Sequence, residues 1–405
     1  MSLRNIIISQ KMVRMIKMKS CLDAFRYLSS VATLRSYEHV NTKRLYLAGL
    51  TTGVFTTWGM FYRNVSMAAA VSDIGTESRS KWMADPVTSM EELEKTPNSM
   101  RHRMETLIMR IQGEVCHALE ELDGEKKFQV DKWERNEIDG GGGITCILQD
   151  GTVFEKAGVN ISVVRGKLPV EAVRQMRARG KDLSDSPLPF FACGVSSVVH
   201  PVNPHVPTIH FNYRYFETVS EDGKVNWWFG GGTDLTPMYL EKKDVSHFHK
   251  TLKAACDEHS ESYYPTFKKW CDNYFFLPHR GECRGVGGIF FDDLNDRSPD
   301  EIFNFVKSCA EAVVPSYEPI VKRNYKRSYS YMERQWQLLR RGRYVEFNLI
   351  YDRGTKFGLN TPNARYESIL MSLPLYAKWL YCHNPEPGSK EEEITSVLKE
   401  PKNWA

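Results

Sequence analysis

The stretch Thr208–Phe216, TIHFNYRYF, decides the fold. Its residues alternate: Ile209, Phe211, Tyr213 and Tyr215 have one parity, and His210, Asn212, Arg214 and Phe216 have the other. Successive side chains of a strand point to opposite faces, so the segment reads as a strand with His210, Asn212 and Arg214 on one face. A histidine, an amide and a guanidinium in succession are more specific than solvation of a sheet face requires.

Working outward, RYFETVSEDGKVNWWF (Arg214–Phe229) turns at Asp222-Gly223, so the strand is expected to return antiparallel as Val225–Phe229. ITCILQDGTVFEKAGVNISVV (Ile144–Val164) repeats the device at Asp150-Gly151. Further strands are expected at Ala192–Val199, Gly288–Phe291 and Tyr344–Tyr351. Helices are expected at Met100–Leu122 with Ser99 as N-cap, and at Pro169–Arg179, Asp244–Lys253, His259–Phe276, Pro299–Tyr329, Ser330–Arg341 and Arg365–Trp379, with breaks at internal prolines. Hairpins with intervening helices indicate an α+β domain built on a mainly antiparallel sheet, with helices enough for both faces. The polar C-terminus is expected to trail.

The chain has 405 residues, 41% of them hydrophobic and 12% aromatic, which places it among globular proteins. Charge is unevenly distributed. Residues 1–70 carry ten Lys/Arg and two acids, Asp23 and Glu38, leaving 44 basic and 48 acidic residues of the chain's 54 and 50. The whole chain is +4 but the body is acidic, which argues against nucleic acid as a partner. A basic, acid-poor leader reads as mitochondrial targeting; a basic surface tail is the plainer alternative. LYLAGLTTGVFTTWGMFY (Leu45–Tyr62) is uncharged and marginally long enough to span a bilayer, as a sorting signal or as a permanent anchor. Residues 1–70 are thus read as leader, 71–98 as a polar linker and 99–405 as one domain. The nine cysteines form no CxxC pair, which speaks for scattered buried thiols.

The glycine clusters GGGGIT (Gly140–Thr145), FGGGTDLTP (Phe229–Pro237) and RGVGGIFFDD (Arg284–Asp293) match neither a dinucleotide fingerprint nor a P-loop. Gly230, Gly231 and Gly232 could let backbone approach a flat ligand, with Asp234 just beyond; Asp234 capping a turn is the plainer reading. Among the histidines, His200, His205, His210, His249 and His279 lie in the body. No HExxH occurs, so a metal site and separately satisfied histidines both stay open. Arg214, Arg284 and Arg365 come from separate segments and suit a ligand with several carboxylates, against surface ion pairing as the ordinary fate of a single arginine.

The motifs GGGGITCILQDGTVFEKAGVNISVV, VPTIHFNYRYFE, WWFGGGTDLTP, RGVGGIFFDDL and GRYVEFNLIYDRGTKFGL together resemble the oxygen-dependent coproporphyrinogen oxidase family, over roughly Met100 to Trp404. The leader resembles that of the animal, mitochondrial type. The resemblance implies a flat antiparallel sheet with helices on both faces, working as a homodimer. It implies that coproporphyrinogen III is decarboxylated at two propionates to vinyl groups, with oxygen as co-substrate, peroxide released and protoporphyrinogen IX as product. It implies no flavin, haem or nicotinamide cofactor, and no metal, although His200, His210, His249 and His279 match metal positions of bacterial members. By resemblance, His210 is the proton donor and Asp234 faces the pyrrole nitrogens, while Ser196, Asn212, Tyr213, Arg214, Asn363, Ala364 and Arg365 contact substrate. Asn363-Ala364 stands where the bacterial pattern has two glycines. Segments Thr145–Phe154 and Tyr344–Leu380 match dimerisation regions. The expected location is the mitochondrial intermembrane space, and peripheral association with the inner membrane is compatible with it. A porphyrin or haem carrier without catalysis, and a metal-assisted oxygenase, are the competing readings.

Overall fold

A computed structural model of the chain describes residues 81–135, 140–168, 170–178, 180, 188–220, 222–360 and 364–405. The leader, its apolar segment Leu45–Tyr62 and Asn363 lie outside the described residues. In chain order the elements are α1 (Met90–Lys95), α2 (Met100–Asp123), β1 (Gln129–Glu134), β2 (Gly141–Gln149), β3 (Phe154–Lys167), α3 (Val170–Ala178), β4 (Pro189–Pro201), β5 (Thr208–Val219) and β6 (Val225–Thr236). Then follow α4 (Lys242–Asp257), α5 (Tyr263–Tyr274), a small β7–β8 hairpin (Phe276–Leu277, Glu282–Cys283), β9 (Gly287–Leu294), α6 (Pro299–Glu311), α7 (Val313–Asn324), α8 (Tyr331–Glu346), a π-helical turn (Phe347–Tyr351), α9 (Arg353–Asn360), α10 (Tyr366–Leu370) and α11 (Lys390–Lys399). Among the described residues no helix is long and apolar enough to cross a membrane.

The sheet is antiparallel throughout, seven strands in the order β1-β2-β3-β4-β5-β6-β9. Both anticipated hairpins form. Asp150 takes φ +52° at the β2–β3 turn and Gly223 takes φ +80° at the β5–β6 turn, left-handed conformations that Asp and Gly tolerate. Because directly opposed residues share a face, the register writes out the composition of each face. One row reads Ile144–Ile161–Val195–Tyr213–Gly231–Phe291 and is buried. This face takes α2, whose Ser99 cap accepts the His102 N–H and whose Gly124 C-cap has φ +78°. The Gln112 amide of α2 donates to the Ile144 and Val159 carbonyls at 2.8 and 3.0 Å, tying helix to sheet.

The other face carries a polar row, Asp131–Thr145–Asn160–Ser196–Asn212–Gly232–Phe290. Helix α3 lies over one end of this face, where its Val173 clusters with Leu168 and Leu188 against Phe190 and Phe216. The segment around α10 covers part of β2 and β3, where Ser368 hydrogen-bonds Thr145 and Met371 sits over Gly158.

Four expectations change. Tyr344–Tyr351 is not a strand: α8 runs through Glu346 into the π-turn. The apolar positions Trp336, Leu339, Tyr344 and Phe347 are buried at helical spacing, and the adjacent Leu349 and Ile350 are both exposed, which a strand's alternation would not produce. The helix expected over Arg365–Trp379 stops at Leu370, short of Pro374, leaving Tyr366–Leu370. Of the expected linker, the described part 81–98 contains α1 and packs Trp82, Met83, Ala84 and Val87 on the core. The C-terminus does not trail: α11 buries Ile394, Val397 and Leu398, and Trp404 packs on the core. Polarity misled there because one buried stripe suffices to dock a helix whose other faces are charged.

Candidate active site

The reading of Thr208–Phe216 places His210, Asn212 and Arg214 side by side, and the register adds their neighbours. Asp234 lies directly opposite His210, Ser196 and Gly232 flank Asn212, and Gly194 and Gly230 flank Arg214. His210 Nδ1 and Asp234 Oδ1 are 2.7 Å apart. Both Asp234 oxygens are also held by Arg284, from Nε to Oδ2 at 3.1 Å and from Nη2 to Oδ1 at 2.9 Å. Asp234 and Arg284 are each only 2% exposed at the side chain. The Arg284 guanidinium lies 4.0 Å from the Phe275 ring, 4.6 Å from Tyr344 and 4.9 Å from Phe347, and donates to Asn348 Oδ1 at 2.9 Å. Burial opposes ionisation of Asp234, but Arg284 and His210 outweigh it and hold the carboxyl below the usual carboxylate range. Burial likewise works against the Arg284 charge, and Asp234 more than offsets it.

Arg214 pairs with Asp292, whose second oxygen accepts from Arg353 Nη2 at 3.0 Å. Burial opposes ionisation of Asp292 too, and the two arginines keep its carboxyl low. Asn160, Ser162, Gly194, Ser196, Asn212 and Arg214 line a depression of about 150 Å³. Among the described residues none donates a hydrogen bond to Asn212 Oδ1, which is sheltered there.

The coproporphyrinogen III oxidase family model matches residues 103–404. The chain is 58% identical over 391 residues to the oxygen-dependent coproporphyrinogen-III oxidase of Drosophila melanogaster, covering 95% of this chain and all of that one. It is 62% identical over 327 residues to the human mitochondrial enzyme of that name, covering 80% of this chain and 72% of the other. The chloroplastic coproporphyrinogen-III oxidase 1 of Arabidopsis thaliana is 53% identical over 311 residues, 76% of this chain and 80% of that one. The chain belongs to the coproporphyrinogen III oxidase family.

In this member of the coproporphyrinogen III oxidase family, the structure gathers His210, Asp234, Ser196, Asn212 and Arg214 on one sheet face and leaves others apart. The Tyr213 side chain is on the helix-covered face, bonded to Thr233 Oγ1 at 2.6 Å and donating to the Cys309 carbonyl at 3.1 Å. Arg365 pairs with Asp131 of β1, four strands from Arg214, a separation of roughly 19 Å. Ala364 adjoins it in sequence. Asp234, expected to face substrate nitrogens, has both oxygens engaged behind His210. Arg284 does not grip an external carboxylate but neutralises Asp234.

The glycines also serve neighbours rather than open backbone. A Cβ at Gly230 would sit 2.7 Å from Arg214 Nη2, one at Gly231 would meet the Tyr213 ring at 2.6 Å, and one at Gly232 the Ile289 carbonyl at 2.4 Å. The remaining histidines are engaged separately. His200 Nε2–H donates to the Ser372 carbonyl at 2.9 Å, His249 accepts from Tyr264 and donates to the Val286 carbonyl, and His279 lies between Tyr351 and Glu346. Burial, reinforced by Lys268, pushes His249 down to about 3. Seven of the eight described cysteines are buried and all eight are free thiols. Asp292, Arg353, Asn348 and the ring box around Arg284 escaped the sequence reading. Asp292 and Arg353 stood inside the quoted motifs, yet only the fold shows that they meet.

Proposed function

We propose that this chain is an oxygen-dependent coproporphyrinogen III oxidase, acting in haem biosynthesis. The observation that carries the reading is the His210–Asp234–Arg284 chain beside Arg214 on a polar sheet face, in a chain whose family bears that name. Each step converts one propionate: R–CH₂CH₂–COO⁻ + O₂ + H⁺ gives R–CH=CH₂ + CO₂ + H₂O₂. Two such steps yield protoporphyrinogen IX. The porphyrinogen is electron-rich and supplies the electrons, so the reaction needs no redox cofactor besides oxygen.

The protein's part is grip and proton handling. Arg214 presents a planar fork to a carboxylate. Asp234 accepts the Nδ1 proton of His210, which fixes the tautomer and leaves Nε2 as the working atom. Arg284 keeps Asp234 ionised. The test is turnover of purified protein with coproporphyrinogen III after exhaustive chelation. Two peroxides and two CO₂ per product are expected. Porphyrin binding without oxygen uptake would instead make the chain a carrier, and loss of activity on chelation would restore the metal-assisted reading.

The protein works as a homodimer in this proposal. Leu349, Ile350, Phe357, Tyr366, Tyr376, Trp379, Leu380 and Tyr381 are large apolar or aromatic side chains exposed within one stretch, and exposed apolar groups so concentrated favour a partner. Leu349→Asp should yield a folded monomer, since Leu349 is 43% exposed. Light scattering reads the mass, and an unchanged dimer would remove Leu349 from the contact. The protein is mitochondrial, and we place it in the intermembrane space on the basic leader followed by Leu45–Tyr62. Protease protection in intact versus outer-membrane-ruptured mitochondria decides this: resistance after rupture would place it in the matrix.

A further inference from the structure

The glycine cluster Gly140–Thr145 starts a hydrogen-bond chain that ends in the site. Trp133 of β1 stands opposite Gly143 of β2, and a Cβ at Gly143 would come within 2.4 Å of Trp133 Cζ2. Glycine there lets the indole lie on the sheet and bring its Nε1–H to Thr145 Oγ1 at 3.1 Å. Thr145 Oγ1 donates to Asn160 Oδ1 at 2.7 Å and lies 2.7 Å from Ser368 Oγ. A hydroxyl has a single hydrogen. With that hydrogen on Asn160, both Trp133 and Ser368 must donate to the oxygen's lone pairs. Thr145 and Ser368 are buried, so water does not compete for these bonds.

The chain fixes the amide of Asn160. Its oxygen is turned toward β2, which turns its NH₂ toward Ser196 and Asn212, the next residues in the polar row. Asn160 lines the depression of about 150 Å³ together with them. The depression therefore has a fixed neutral donor on its β3 side and Arg214 on its β5 side. The two residues stand two strands and two residues apart, roughly 12 Å between Cα atoms. An NH₂ group needs an acceptor. In a porphyrinogen every pyrrole nitrogen is an N–H donor, so the acceptors are the propionate carboxylates. We infer that Asn160 is a further substrate-binding residue, which receives a second propionate while Arg214 holds another, and that Thr145 is the positioning residue that aims its amide. The inference rests on the function proposed above.

The test uses the full-length protein and two non-reacting probes, coproporphyrin III and its tetramethyl ester, followed by quenching of protein fluorescence. Asn160→Asp keeps the acceptor for Thr145 and replaces the NH₂ by a carboxylate oxygen. It should weaken coproporphyrin III roughly tenfold or more, raise the KM of coproporphyrinogen III in proportion, and leave the ester unchanged. Asn160→Ala should weaken coproporphyrin III about fivefold. Thr145→Val removes the hydroxyl at nearly constant shape. It should cost about threefold alone and nothing further in the Asn160→Ala background. Equal or tighter coproporphyrin III binding in Asn160→Asp would mean that a ring N–H meets this residue, and overturns the propionate assignment. Equal losses for acid and ester would reduce Asn160 to shaping the sheet and overturn the inference. Additive losses in the double variant overturn the positioning role of Thr145. If Asn160→Asp fails to fold, Asn160→Ala decides, and unchanged binding there overturns the inference. Wild-type protein that neither binds coproporphyrin III nor consumes oxygen would overturn the functional reading itself, an outcome distinct from these.

Discussion

Asp234→Asn should be both markedly less stable and nearly inactive. Its partner Arg284 is buried among Phe275, Tyr344 and Phe347, and with the carboxylate gone its charge has only the Asn348 carbonyl oxygen and an amide for company. Removing one member of a buried ion pair costs about 3–5 kcal/mol, mostly the penalty for the charge left behind. Denaturant titration at pH 7 measures this directly. Activity should fall further, on the order of 10²–10⁴-fold, because His210 loses the acceptor that sets its tautomer. The stability deficit should also depend on pH. Asp234's folded pKa lies below its unfolded value of about 3.9, so its contribution is fully present above that value and is lost as pH falls through the folded one. Wild type and variant should therefore begin to converge in stability only below about pH 4, and meet once the pH is under Asp234's folded value. An Asp234→Asn protein as stable as wild type would mean that Arg284 is solvated in solution. A folded variant with full turnover would confine Asp234 to a structural role.

Arg214→Lys tests the grip. Arg214 is half-exposed, and lysine can keep the charge beside Asp292, so the fold should hold to within about 1 kcal/mol. What is lost is the planar fork. A charged hydrogen bond contributes about 1.5–3 kcal/mol, and about 1.4 kcal/mol is tenfold in rate, so kcat/KM should fall by roughly one to two orders of magnitude. A porphyrinogen lacking the gripped propionate should lose little further activity on going from Arg214 to lysine. Wild-type kinetics on the full substrate would leave the functional reading of β5 to His210 and Asn212.

The site face was legible in part before any coordinates. Period-two alternation put His210, Asn212 and Arg214 together, whereas the return strand expected over Val225–Phe229 runs on to Thr236, and only that longer pairing sets Asp234 opposite His210. The partner of Asp234 was not legible. Arg284 reaches it across 50 residues, from the stretch between the β7–β8 hairpin and β9, and its sequence context resembles that of any arginine poised for an external carboxylate. Asp292 was hidden for the same reason. Its aim depends on a one-strand register shift and the φ of Asp293, neither of which leaves a pattern in composition. At Tyr344–Tyr351 the local signal was ambiguous, because alternating and helical periods both fit a short apolar run. Burial of Tyr344 and Phe347 around Arg284 decided for the helix.

The amino-acid sequence by itself determined what depends on a few neighbouring residues. It set the alternation of β5, the turns that Asp150 and Gly223 can adopt, the serine cap at Ser99, and through its motifs the family. Those features follow from dihedral preferences and hydrogen bonds within about four residues. Only the tertiary structure decided which charges neutralise one another: Asp234 with Arg284, Asp292 with Arg214 and Arg353, and Asp131 with Arg365. Attraction between opposite charges carries no sequence periodicity. Any arginine can serve any carboxylate, so the choice falls to the strand register and helix docking that bring particular pairs within reach and shut water out around them.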